Sequence, residues 1–138
     1  MRQRSSVIAL CVLLLVAAVG EAADAPVLWT PKDLTWVEVP EIPGAARALL
    51  WGDPAKGAYG ALNRWKFNTK LAEVARASDA HFVILAGTFS LEIEGGHKEF
   101  GPGSYVMVPK GVKHALGCEA AGECRFLMHQ PGPADVLK

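Results

Sequence analysis

The sequence has no excess of charge of either sign. Its 14 lysines and arginines balance its 14 aspartates and glutamates. Proteins that bind nucleic acids or acidic membrane surfaces usually carry a basic excess or a basic patch. The composition therefore predicts neither a nucleic-acid partner nor a polybasic membrane surface. Internal repeats and low-complexity tracts are absent as well, and a length of 138 residues is typical of one domain.

No apolar run is long enough for a typical membrane span. The longest covers residues 7–19, whereas a spanning helix needs roughly 20 apolar residues. Arg2 and Arg4 precede this run, and small residues suited to cleavage lie among residues 20–24. This order of segments predicts a signal peptide over residues 1–23. A cleaved leader implies a periplasmic or secreted protein without stable membrane association. An uncleaved anchor is the alternative.

Cysteine is scarce, with three in the chain. Cys11 lies within the N-terminal apolar run, and Cys118 and Cys124 flank a predicted hairpin loop at residues 119–123. In the oxidising compartment that a signal peptide implies, a disulfide between Cys118 and Cys124 is expected if their Cα atoms come within about 7 Å. Buried free thiols are the alternative.

A long amphipathic helical pattern is also missing, which leaves short strands as the main elements. Apolar and polar residues alternate over residues 89–94, a period of two that indicates a strand with one buried face. Further strands are predicted over residues 46–51, 58–67, 81–86, 105–108, 114–118 and 124–130. Short strands at such regular spacing predict an all-β antiparallel barrel or sandwich.

The prolines set the predicted boundaries of the domain. Four of them between residues 26 and 43 disfavour helix, so residues 24–45 are predicted to form an extended N-terminal arm. The barrel is predicted over residues 46–133, and residues 134–138 form a C-terminal tail. An immunoglobulin-like sandwich is the alternative fold, although it usually places its cysteines on distant strands.

The most specific motif is GPGSYVMVPKGVKHALGC at residues 101–118. Gly103, Pro109, Gly111 and His114 follow the spacing G-x5-P-x-G-x2-H around a short predicted strand. This spacing resembles the second signature of the cupin superfamily, with Cys118 in place of its final asparagine. The likeness is to small single-domain bacterial cupins. It implies a jelly-roll barrel in which His114 faces the interior, where the family's histidine is a metal ligand.

The first cupin signature is degenerate in this chain. If its last glycine is placed on Gly87, its two histidines fall on Val74 and Arg76 and its glutamate on Ala80. Only His114 of the family's four ligands is then retained, and one imidazole does not hold a metal tightly. The resemblance therefore implies no confident cofactor, since iron, manganese, zinc or nickel would need rearranged ligands.

Four other side chains are candidates for a rearranged metal site. Glu73, Asp79 and His81 lie near these positions, whereas His129 lies on the last predicted strand, where the sequence leaves open which face it occupies. The parity of the strand predicts that the first three face outward. Such a site would therefore require a bulge in the strand.

Arg76 permits two interpretations. If it faces the barrel interior, it is a buried cation able to receive a carboxylate in a bidentate manner. Alternatively, residues 68–80 form a turn or short helix, which the alanine-rich segment LAEVARA favours, and Arg76 points to solvent.

Three functions are compatible with these patterns. The first is an exported, non-catalytic barrel that binds a small, acidic molecule in a cavity formed by His114, Arg76, Tyr105, Phe82 and Phe126. The second is a metal-dependent cupin enzyme (an oxygenase, isomerase or lyase) with rearranged ligands. The third is a structural or dimerisation module that has lost its site.

We prefer the binding module to the other two functions, because the expected metal ligands are missing. For His114, a hydrogen-bonded core histidine is the alternative to contact with a ligand. The resemblance also implies a homodimer, since similar cupins commonly pair through sheet edges.

Overall fold

The computed structural model describes residues 25–119 and 121–137. The predicted signal peptide at residues 1–23 lies outside them. A short 3-10 turn at Pro31–Asp33 precedes the strands. The strands are β1 (Trp36–Glu38), β2 (Ala45–Gly52), β3 (Tyr59–Trp65), β4 (Lys70–Arg76), β5 (Ala80–Ala86), β6 (Phe89–Ile93), β7 (Gly96–Phe100), β8 (Tyr105–Val108), β9 (His114–Cys118), β10 (Cys124–Gln130) and β11 (Val136–Leu137). Within the described ranges, the chain contains no helix that is long and apolar enough to cross a membrane.

The strands form two antiparallel sheets whose inner faces enclose one core. One sheet has six strands in the order β1-β2-β3-β10-β5-β8, and the other has five in the order β11-β4-β9-β6-β7. From β3 onward the chain crosses between the sheets at every connection except the β6–β7 hairpin, as in a jelly roll, so the predicted all-β barrel is confirmed. Phe82, Phe89 and Phe126 meet at the centre of the core, with ring centroids 5.0 to 5.9 Å apart.

Several strands agree closely with the sequence patterns. The predictions for residues 105–108, 114–118 and 124–130 coincide with β8, β9 and β10. Turn residues separate these segments, and the side chains of β8 and β10 alternate between the core and the outside. A tight turn at Glu94 and Gly95 joins β6 to β7.

Residues 70–76, for which the sequence allowed a strand, a turn or a helix, form strand β4. This strand pairs with β9, where Val74 lies opposite His114, and with β11, where Arg76 lies opposite Val136. Pairing on both sides satisfies backbone groups that a helix would have satisfied locally, so tertiary context overrides the helix propensity of LAEVARA. As a result, Val74 and Arg76 both face the space between the sheets.

Cys118 at the end of β9 and Cys124 at the start of β10 are joined in a disulfide, with a Cα–Cα distance of 5.7 Å. The bond closes the connection between the two sheets, because β9 and β10 belong to different ones. Gly87 packs directly beneath it with φ +79°, and an added Cβ there would approach the Glu123 carbonyl oxygen to 2.6 Å. A residue with a side chain is therefore disfavoured at position 87.

Candidate ligand-binding cavity

A cavity of about 360 Å³ lies between the two sheets. It reaches the surface beside Glu41 and Val136, which line it and are themselves exposed. Its walls are formed by Val39, Glu41, Ile42, Arg47, Tyr59, Asn63, Trp65, Leu71, Val74, Arg76, Phe82, Leu116, Phe126, Met128, Ala134 and Val136. A volume of this size suits a small molecule.

One wall of the cavity is aromatic. Trp65 packs edge-on against Phe126 with ring centroids 5.4 Å apart, and Phe82 packs edge-on against Phe126 at 5.9 Å. Edge-to-face packing fixes all three rings, so this wall is preformed. It offers a rigid apolar surface to the body of a ligand.

The polar part of the cavity contains two arginines, Arg47 and Arg76, and the hydroxyl of Tyr59. Tyr59 donates a hydrogen bond of 2.6 Å to Oε1 of Gln130, which is fully buried. The Nε atom of Arg76 is buried and has no hydrogen-bond partner among the described residues. A buried donor without a partner is rare and costs stability, so it marks a place where a ligand or solvent is expected.

The electrostatics of this region are those of an uncompensated cation. In the part of the chain that the structure describes, neither arginine forms an ion pair, and Glu41 is the one acid on the cavity wall. Burial raises the pKa of Tyr59, although the positive charges of Arg76 and Arg47 oppose this shift. Burial lowers the pKa of Arg76, and the charge of Arg47 lowers it further. A guanidinium nevertheless stays charged in proteins, so the cavity keeps a positive potential.

His114 lies next to this region but is not part of the cavity lining. Its side chain is 1% exposed, and its Nδ1 donates a 2.9 Å hydrogen bond to the carbonyl oxygen of Val112. That bond leaves Nε2 as an acceptor, and Nε2 is buried without a partner in the described residues. Burial lowers the pKa of His114, and Arg76 lowers it further, so the imidazole is neutral at pH 7.

The family assignment rests on a sequence-model match as well as on the fold. The model of the ChrR cupin-like domain matches residues 24–133, which is most of the chain. The chain belongs to this family. No curated protein sequence matches it.

Solved structures share the cupin fold at low sequence identity. The polyketide cyclase RemF from Streptomyces resistomycificus is 20% identical, with a TM-score of 0.66 over 80% of this chain and 81% of that one. KdgF from Halomonas sp. is 16% identical, with a TM-score of 0.65 over 78% of this chain and 94% of that one. A chain in the structure of Rhodobacter sphaeroides SigE in complex with the anti-sigma ChrR is 18% identical to this one. Its TM-score is 0.59, over 73% of this chain and 50% of that one. At these identities the likeness shows the fold alone.

The residues of this cupin domain do not fit a divalent metal inside the barrel. The positions of the first signature hold Val74, Arg76 and Ala80, of which the first two line the cavity and the third is fully buried. Two of these side chains have no donor atom, and the guanidinium repels a cation. His114 alone cannot supply a coordination sphere.

The side chains considered for a rearranged barrel site are separated in the structure. Glu73 is exposed on strand β4 of the five-stranded sheet. Asp79 accepts a 2.8 Å hydrogen bond from the backbone N–H of Lys110. His81 and His129 do lie together, but on the outer face of the six-stranded sheet. Among the residues described, no cluster of three or more His, Cys, Asp or Glu side chains is arranged to hold a metal ion.

Three of the five residues predicted to form the cavity are part of its lining. Arg76, Phe82 and Phe126 line the cavity, and His114 lies beside it. The prediction for Tyr105 was wrong, because its side chain is 61% exposed and bonds to His81 on the outer face. In β8 the inward positions belong to Val106 and Val108, so Tyr105 necessarily points out.

Sequence reasoning missed Arg47, Tyr59 and Asn63 as parts of the cavity. A signal for two of them was present, because Tyr59 and Asn63 alternate along β3 with residues of the outer face and share the parity of Trp65. Arg47, on β2, lies directly opposite Asn63, on β3. This proximity follows from the pairing of the two strands and not from the sequence of either one. A polar residue at an inward position of an otherwise apolar strand is the pattern that would have found them.

Proposed function

We propose that this cupin domain binds a small carboxylate-bearing molecule in its barrel cavity, without a tightly bound metal in the barrel. The observation that carries the proposal is Arg76, whose Nε is buried in the cavity region without a hydrogen-bond partner in the described part of the chain. A buried N–H donor without a partner is costly, and an incoming carboxylate removes that cost through two parallel hydrogen bonds to the guanidinium. Arg47, on the six-stranded sheet that faces Arg76, adds a second positive charge to the cavity lining.

The apolar wall specifies the rest of the ligand. Trp65, Phe82 and Phe126 are buried and held by one another, so they are ready to pack against an aromatic or aliphatic body. Ligand sites typically combine such walls with a few polar groups that fix orientation. We therefore expect a molecule with one acidic end and one apolar end.

The experiment compares each carboxylate with its neutral amide. Benzoate and hexanoate are titrated against benzamide and hexanamide by calorimetry, with thermal shift as a second readout. Carboxylates are expected to bind and the amides to bind at least tenfold more weakly, because charge-assisted hydrogen bonds are roughly twice as strong as neutral ones. Arg76→Leu should abolish the difference.

The matched control is Arg125→Leu. Arg125 is exposed on the outer face and forms an ion pair with Glu123 at 2.7 Å, so its loss should leave binding unchanged. Carboxylate binding that survives in Arg76→Leu, or that disappears equally in Arg125→Leu, would contradict the proposal.

We also propose that the chain is exported and pairs with a second copy. The disulfide between Cys118 and Cys124 supports export, because such bonds persist in oxidising compartments. The arm supports association, since Leu28 is 85% exposed and β1 is an edge strand. Cell fractionation tests the first proposal and sedimentation of the purified chain tests the second.

A further inference from the structure

Two histidines meet on the outer face of the six-stranded sheet, on the side of β5 and β10 that faces away from the cavity. His81 on β5 lies directly opposite His129 on β10, and their ring centroids are 5.4 Å apart. Both side chains are half-buried, so their positions are restricted. Neither ring has a role in the cavity, because their neighbours Phe82 and Met128 are the residues that face it.

Both rings are held by aromatic neighbours. Nδ1 of His81 is hydrogen-bonded to the Tyr105 hydroxyl at 2.7 Å, and the ring of Trp51 packs 5.4 Å from that of His129. The Trp51 ring in turn lies against Gly60, where any Cβ would collide with the indole. Four side chains from four strands thus form a row across the sheet, with the two imidazoles at its centre.

The hydrogen bond to Tyr105 determines which nitrogen of His81 is free. If Nδ1–H donates to the hydroxyl oxygen, Nε2 carries the lone pair and can bind a metal. Metal-binding histidines almost always donate their second ring N–H in this way, which orients the ring and raises its basicity. Tyr105 therefore occupies the position of a supporting residue for a metal site.

The distance between the His81 and His129 rings is also compatible with one metal ion bound by both. Two imidazoles that bind one zinc ion at about 2.0 Å from each nitrogen, at a tetrahedral angle, hold their ring centres about 5 Å apart. The observed 5.4 Å is close to this value. We propose that His81 and His129 bind one divalent ion of the imidazole-preferring class (Zn²⁺, Cu²⁺ or Ni²⁺) on the outer face of the sheet, with water in its remaining positions.

The test is a titration of the full, untagged chain with Zn²⁺ and with Cu²⁺ near pH 7.5. One ion per chain is expected to bind, and His81→Gln or His129→Gln should each weaken binding at least tenfold. Tyr105→Phe, which removes only the hydroxyl, should weaken it by about tenfold. Circular dichroism and thermal unfolding verify that each variant is folded.

His97→Gln is the matched control. His97 is exposed on the β6–β7 hairpin, with Glu92 and Glu99 at 3.5 and 3.6 Å, so it is the competing location for an ion. Binding should be unaffected by this change. Loss of binding in His97→Gln, or unchanged binding in the His81→Gln, His129→Gln double variant, would overturn the proposal.

A spectroscopic measurement on the unaltered chain makes the test independent of the variants. The electron paramagnetic resonance spectrum of bound Cu²⁺ should show hyperfine coupling to two equivalent imidazole nitrogens. Absence of binding, or coupling to a single nitrogen, contradicts a site made by the histidine pair.

Discussion

Strands β5 and β10 have two faces of opposite chemistry, although the residues on these faces alternate one by one. Phe82 and Phe126 point inward and are fully buried, whereas His81 and His129 point outward beside water. Across the cavity from the phenylalanines, the buried Nε of Arg76 has no hydrogen-bond partner among the residues that the structure describes. The comparison teaches that the cost of a polar group depends on its face: outside it is solvated by water, and inside it needs a hydrogen-bond partner.

The largest expected effect is on the stability that the inner face supplies. Phe126→Ala should lower the free energy of unfolding by about 3–5 kcal/mol, because it removes a ring packed against Trp65, Phe82 and Phe89. Leu127→Ala, one residue along on the outer face, is the matched change and should cost clearly less. Urea unfolding of the two variants provides the comparison, and equal losses would show that the two faces do not differ as described.

The second largest effect on stability is expected from removing the disulfide. Replacing Cys118 and Cys124 by alanine removes a bond that closes a short loop, so the free energy of unfolding should fall by about 2 kcal/mol. The same unfolding measurement with and without a reducing agent checks this value. A loss in the double variant that far exceeds the effect of reduction would point to packing at the site and not to the bond.

Arg76→Leu should sharpen the comparison, since it removes the polar group that the inner face does not compensate. In the absence of ligand we expect it to raise the free energy of unfolding by about 1–2 kcal/mol, because a buried N–H donor that has no partner among the described residues is replaced by an apolar side chain. A structural role for Arg76 predicts the opposite sign. Calorimetric unfolding distinguishes the two, and Arg125→Leu, at an exposed position, should change stability by less than about 0.5 kcal/mol.

The strands and site residues that could be predicted from the sequence are those specified by residues close together in the chain. Gly103, Pro109 and Gly111 determine two turns and the strand between them, so β8 and β9 were predicted at their observed bounds. The position of Arg76 stayed open, because its inward direction followed only from the cupin signature placed on Gly87, while the helix propensity of LAEVARA favoured the alternative.

Two parts of the site depend on contacts between strands distant in sequence. Arg47 joins Asn63 and Tyr59 only because β2 pairs with β3 in one register. Tyr105 was misplaced because its membership of the motif said nothing about which face it occupies, and a shift of one residue reverses the face. The row from Trp51 to Tyr105 likewise follows from sheet order, which no local pattern contains.

The smallest effect concerns His114, the buried histidine beside the arginine. Burial and Arg76 hold its pKa in the folded protein below the ordinary value of 6.5, so below about pH 6.5 the unfolded chain binds more protons there. Stability must then fall as the pH is lowered below about 6.5, and it levels off once the folded form is protonated as well. We expect the free energy of unfolding to be lower at pH 5.5 than at pH 7.5, measured by urea unfolding at the two pH values. His114→Gln should flatten this part of the curve, whereas His97→Gln, on the exposed hairpin, should not. If both variants keep the slope of the unaltered chain, the acid sensitivity comes from other groups, and His114 is not the isolated neutral imidazole that its unpartnered Nε2 indicates.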